Sequence, residues 1–170
     1  DQNADVGACG PKLLNRDGTT QPSVRRFPTL RSTFYFYTVF RFLGVFRGHY
    51  KRWRMKGLDH DHQMDVDQIM GAAMMIRRSA LEQTGGMDEA FFMYYEEVDL
   101  CYRLRLAGWR IVFTPQAQIT HLGGQSIKQI PAKKRIMTLR SLLILLRKHR
   151  GRLRMAVFVT IFKPSVILQD

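Results

Sequence analysis

The sequence predicts an α/β fold that ends in a basic, amphipathic helical tail. Three observations carry that expectation. Apolar runs at residues 4–14, 71–76 and 110–114 are bounded by turn and breaker residues, as strands are. Glu97 to Ala107 repeats apolar residues at helical spacing. Residues 132–150 carry a leucine stripe among lysines and arginines. At 170 residues the chain can bury one ordinary core.

Residues 4–14 read as a strand entering a loop. Asn15-Arg16-Asp17-Gly18 reads as a turn, because Asp-Gly accepts positive φ. Residues 25–56 interleave aromatics with seven Arg and two Lys and contain no acid. That mixture suits an interfacial helix against lipid or a lipid-linked acceptor, which is the preferred reading; ordinary core and surface, or base stacking, are the alternatives. Asp59-His60-Asp61-His62 has metal-ligand chemistry, but alternating residues point to opposite sides when extended, so a solvated loop is expected.

Gly71 to Ile76 reads as a buried strand ending at Arg77-Arg78, with Gly71 and Ala72 small enough to let a ligand approach the backbone. Ser79-Ala80-Leu81-Glu82 has the form of a capping box, which places a short helix from Ser79 to Gly85-Gly86. In the next helix Val98, Leu100, Cys101, Leu104 and Ala107 form the apolar face, and Gly108 suits its C′ position. Arg110 to Thr114 reads as a strand stopped by Pro115. In the tail, Ile136, Leu139, Leu143 and Leu146 make the stripe, Gly151 ends the helix, and a second basic-apolar segment runs to Leu168.

The chemistry gathers between residues 85 and 121. Asp88, Glu89, Glu96, Glu97 and Asp99 are five carboxylates within twelve residues, divided by an aromatic run. Glu96 and Glu97 fall at the positive end of a helix behind that run. The helix end favours the carboxylate and burial opposes it. A carboxylate held in that balance can act as a general base toward a hydroxyl. The plainer alternative is that these acids only complement the helix dipole.

The run Gly85-Gly86-Met87-Asp88-Glu89 through Phe91-Phe92-Met93-Tyr94, Glu96-Glu97, Asp99-Leu100-Cys101, Arg103-Leu104 and Ala107-Gly108-Trp109 closely resembles the acceptor-side signature of family-2, GT-A-type glycosyltransferases. It is most similar to the rhamnosyltransferase-like branch. The resemblance extends to Val6-Gly7, Gly10-Pro11, Asn15, Asp17-Gly18-Thr19, Arg25-Arg26-Phe27-Pro28, Gly71-Ala72, Arg77-Arg78 and the stretch from Pro115 to Ser126.

This resemblance implies the C-terminal half of a GT-A, Rossmann-like nucleotide-diphospho-sugar transferase fold over residues 1–127, followed by the tail at 128–170. It implies a Mn²⁺- or Mg²⁺-dependent inverting transfer of a sugar, with rhamnose the family-level guess. The donor is a nucleotide-sugar and the acceptor a polyprenyl-linked or cell-surface glycan. Glu97 is then the base, with Glu96 and Asp99 positioning it or the acceptor. His121 is a metal ligand. Asp67, Gly71, Ala72, Tyr94, Tyr95 and Trp109 line the acceptor side. The metal-binding Asp-x-Asp of the family lies upstream of these motifs, so Asp65-Val66-Asp67 is not assigned to it. The donor-binding half is expected before Asp1, and the isolated chain is expected to have little transferase activity. The family usually carries Glu-Asp where this chain has Glu96-Glu97; the longer base puts full activity of this copy in doubt.

Charge sets the remaining expectations. The net charge is +13, yet residues 57–127 hold five bases against ten acids, while residues 128–170 hold eleven bases against Asp170 alone. An acidic centre between basic flanks is not the footprint of a nucleic-acid binder. It suits a carboxylate-rich site on a protein peripheral to an anionic membrane, here the cytoplasmic face of the plasma membrane. No apolar run approaches the ~20 residues of a spanning helix. Cys9 and Cys101 lack metal-type spacing and read as reduced core residues of an intracellular protein. The competing reading is a non-catalytic membrane-surface or polyanion-binding module of the same fold.

Overall fold

A computed structural model describes residues 3–123 and 131–167. Strand β1 (Val6–Leu14) is the axis of the sheet. It runs parallel to β7 (Arg110–Thr120) and pairs antiparallel with β2 (Thr20–Gln21) and β6 (Met75–Ile76), while β4 (Met64–Asp65) pairs with β7. A separate ribbon joins β3 (Val24–Arg25) to β5 (Gln68–Ile69). Strand β1 is closely covered by side chains. A Cβ built on Gly10 would come within 2.2 Å of Ile69 Cγ2, and one on Gly7 within 2.6 Å of Trp109 Cβ. The turn at Asn15–Gly18 forms as expected, with Asp17 accepting from the Thr19 N–H and hydroxyl.

Among the described residues six α-helices surround the sheet: α1 (Leu30–Tyr37), α2 (Arg47–Trp53), α3 (Arg78–Thr84), α4 (Glu96–Leu106), α5 (Pro131–Arg150) and α6 (Arg152–Ile167). Helix α4 separates two cores. Leu100, Cys101 and Leu104 pack with Ala8, Ile69, Ile111 and Phe113 on the sheet side. Tyr95 and Val98 pack with Phe34, Leu142, Leu145, Leu146 and Phe158 on the other. The basic tail therefore docks its apolar face on α1 and the start of α4.

Four local expectations are corrected. Gly71–Ile76 is not a buried strand: the chain turns at Gly71–Ala73, and only Met75–Ile76 joins the sheet edge, with Met75 74 % exposed. The Ser79 capping box does not form, because α3 begins at Arg78 and leaves Ser79 inside the first turn. Tertiary contacts set that start instead: the Arg77 N–H donates to Gly7 O, and its guanidinium to Val6 O and Asn3 O. Pro115 does not stop β7. Partners jump from Pro11–Thr114 to Lys12–Gln118, so Pro115 lies in a bulge where no ladder N–H is needed. In α5 the buried face is Ser141, Leu142, Leu145 and Leu146, while Ile136 is exposed. Packing by α6 through Phe158 and by Val98 turns the helix away from the stripe read from spacing alone.

Candidate active site

The aromatic run folds into an unusual lead-in to α4. Tyr94 and Tyr95 are both left-handed, with φ of 66° and 68°. Such conformations cost side-chain-bearing residues on the order of 1–3 kcal/mol each. Surrounding contacts hold them. Tyr95 is buried and its hydroxyl lies 2.9 Å from that of Tyr37, and the Ser141 hydroxyl donates to Met93 O at 2.8 Å. This turn delivers Glu96 and Glu97 as the first two residues of α4.

Glu97 lines a cleft of about 410 Å³ with Arg25, Phe36, Tyr37, Trp53, Arg54, Gln68, Tyr94, Tyr95, Val98, Lys134, Arg135 and Thr138. It also lines an adjoining cavity of about 190 Å³, shared with Ser23, Arg25, Gln68, Ile69, Met70 and Tyr94. Gly71 packs on it; a Cβ there would be 3.4 Å from Glu97 Cβ. Burial, then the neighbouring Glu96 charge, pushes the Glu97 carboxyl up to about 7, against the pull of the Glu97 and Val98 N–H groups and Arg25. Half of such a carboxyl is ionised at neutral pH, which suits proton abstraction. The Glu96 Oε2 atom is buried and accepts no hydrogen bond among the described residues.

Of the residues expected at the site, Glu97, Tyr94 and Tyr95 meet in the cleft, with Glu96 and Gly71 beside them. Ala72 is exposed in the turn next to Gly71. Asp67 is turned to the Phe27 N–H, which it accepts at 2.9 Å. Trp109 covers Gly7 and donates to Gln83 Oε1 at 2.7 Å, away from the cleft lining. Asp99 follows Glu97 by two residues, about 200° around a helix, and so faces the other way. Its carboxylate is fully buried and accepts from Arg103 at 2.8 Å, His149 at 2.7 Å and Lys148 at 3.1 Å. Burial opposes its ionisation, yet these three donors together hold it well below the ordinary carboxylate range.

His121 lies at the end of β7, beside the β1–β2 hairpin. The Gln21 amide nitrogen donates to Asn15 Oδ1 and His121 O, which fixes its oxygen as the acceptor toward His121 Nδ1 at 2.7 Å. In the neutral imidazole Nδ1 then carries the proton and Nε2 keeps its lone pair. An imidazole oriented by such a partner suits one position on a divalent ion. Among the described residues no three His, Cys, Asp or Glu side chains gather into a metal site.

Besides Glu97, Tyr94 and Tyr95, Arg25 enters the sequence reading within the resembling Arg25-Arg26-Phe27-Pro28 motif, and Tyr37, Trp53 and Arg54 only through the acid-free basic-aromatic run. Lys134 and Arg135 come from α5, which spacing alone does not bring to this place.

Residues 11–136 match the model of glycosyltransferase-like family 2. Over 130 residues the chain is 36% identical to N-acetylglucosaminyl-diphospho-decaprenol L-rhamnosyltransferase of Mycobacterium tuberculosis, covering 75% of this chain and 41% of that protein. It is 36% identical over 104 residues to the low-salt glycan biosynthesis hexosyltransferase Agl10 of Haloferax volcanii, covering 61% and 29%. It is 41% identical over 56 residues to rhamnosyltransferase WbbL of Escherichia coli, covering 33% and 21%. The chain thus spans at most 41% of the length of these relatives. No solved structure matches it.

Proposed function

The chain belongs to glycosyltransferase-like family 2, and from that premise we propose that it supplies the acceptor side of an inverting sugar transfer to a polyprenyl-linked acceptor. The donor is a nucleotide-sugar, and rhamnose is the sugar, as the names of the Mycobacterium and Escherichia relatives suggest. The observation that carries this reading is Glu97, a base poised near neutrality between two connected cavities.

Glu97 takes the proton from the acceptor hydroxyl as that oxygen attacks the anomeric carbon. The nucleoside diphosphate departs from the opposite side, so the configuration inverts. Glu96, next to Glu97 in the first turn of α4, helps to hold the base's carboxyl up by its charge. Tyr94 and Tyr95 wall the position. His121 would be one ligand to a divalent ion of the Mn²⁺ or Mg²⁺ kind, which would supply Lewis-acid stabilisation of the leaving phosphates.

The deciding experiment is Glu97→Gln in the full-length transferase that contains this chain. The amide keeps the shape and cannot accept the proton. Turnover should fall by about 10²–10⁴-fold with little change in substrate KM. Turnover within threefold of wild type would sink the assignment.

We also place the protein on the cytoplasmic face of the plasma membrane. No described helix is long and apolar enough to span a bilayer. Support for a peripheral contact comes from the exposed run Phe42-Leu43-Gly44-Val45, flanked by Arg41 and Arg47.

A further inference from the structure

The cleft beside Glu97 holds four cationic side chains, from Arg25, Arg54, Lys134 and Arg135, against one carboxylate. Among the described residues, none of the four is in a salt bridge. Arg25 and Arg54 are only partly exposed and lie close enough to repel each other. Burial lowers the proton affinity of Arg25, and the Arg54 charge lowers it further. Both guanidiniums stand partly out of water with Glu97 as the one carboxylate on the cleft, and an anion bridging them lowers the cost of that arrangement. Arginine forks match phosphate oxygens in bidentate geometry. Trp53, buried, and Phe36, exposed, line the same cleft next to these charges.

We infer that Arg25 and Arg54 form a diphosphate-binding subsite, with Lys134 and Arg135 on its solvent side, and that Trp53 and Phe36 hold the apolar chain attached to the diphosphate. The ligand is the diphosphate of a lipid-linked acceptor, not that of the nucleotide donor, because apolar surface adjoins the charges. The inference rests on the reading of this cleft as the acceptor site.

The test is calorimetric titration of the 170-residue chain with farnesyl diphosphate, farnesol, inorganic pyrophosphate and uridine diphosphate at fixed salt. Farnesyl diphosphate is expected to bind saturably, pyrophosphate more weakly and farnesol weakest. Arg54→Gln and, separately, the exposed Arg135→Gln are expected to weaken farnesyl diphosphate at least about tenfold and about threefold, with Arg54→Lys between wild type and Arg54→Gln. Circular dichroism identifies the folded variants. Unchanged affinity in both folded Gln variants would overturn the subsite. Equal or tighter binding of uridine diphosphate would overturn its assignment to the acceptor, and so would absence of farnesyl diphosphate binding. Retained turnover in Glu97→Gln would remove the base and leave this binding result standing. Unchanged binding in both folded Gln variants would remove the subsite and leave the base standing.

Discussion

At the scale of the residue, Glu97 is held in a state that the fold itself does not favour. Its carboxyl ionises near 7 in the folded chain and near 4.5 when unperturbed, with burial as the main cause. The folded form therefore binds more protons than the unfolded form between those values, and stability falls as pH rises through that window. Glu97→Gln removes the penalty. The variant should be more stable than wild type at pH 8, by on the order of 2 kcal/mol, and equal to it at pH 4. Urea unfolding at the two pH values measures this; equal stabilities at pH 8 would mean that Glu97 is solvated after all. The same ionisation governs the proposed chemistry. Because the base form is the active one, kcat/KM should rise with pH through an inflection near 7 and then level, and a profile already flat below pH 6 would exclude Glu97 as the base.

At the scale of the element, α4 works because its faces are divided. One face meets the sheet, one meets α5 and α1, and its first turn opens on the cleft. Asp99 fastens the α5 side through Arg103, Lys148 and His149. Replacing it with Asn removes the charge that three donors surround and should cost about 3 kcal/mol. The depressed ionisation also fixes the sign: this contribution is present above pH 4, the ordinary carboxylate value, and is lost as acid protonates Asp99 below it. The gap between wild type and Asp99→Asn should thus close on acidification toward pH 2; a gap constant from pH 7 to pH 2 would contradict the ion cluster. Helix α4 and the placing of Glu97 in its first turn were legible in the sequence because spacing, the aromatic lead-in and Gly108 all agree locally. The direction of Asp99 follows from the same periodicity, since two residues turn a helix by about 200°, yet its partners on α5 do not. Pro115 misled because a bulge is defined by the opposite strand. Ser79 misled because Arg77 finds its carbonyls in β1 and before it, seventy residues away in sequence.

At the scale of the whole molecule, the arrangement of charge and apolar surface favours a lipid interface. Strongly basic segments lie on both sides of a carboxylate-rich centre in sequence, and the fold gathers cations from both segments at one cleft. The 42–45 run adds Phe42, 76 % exposed, and Leu43, 69 % exposed, between Arg41 and Arg47. Exposed aromatics between arginines gain twice at an anionic bilayer, by apolar burial and by headgroup attraction. Full burial of each such side chain contributes about 1.5–3 kcal/mol. The chain should therefore float with phosphatidylglycerol vesicles and far less with phosphatidylcholine vesicles. Raising salt should weaken the attachment in part, since only the electrostatic half is screened. Phe42→Ser with Leu43→Ser should reduce vesicle binding at least about tenfold and leave unfolding stability unchanged, because neither side chain belongs to a core. Flotation indifferent to the double substitution would leave the basic tail as the sole contact. Flotation on neutral lipid alone would remove the charge argument.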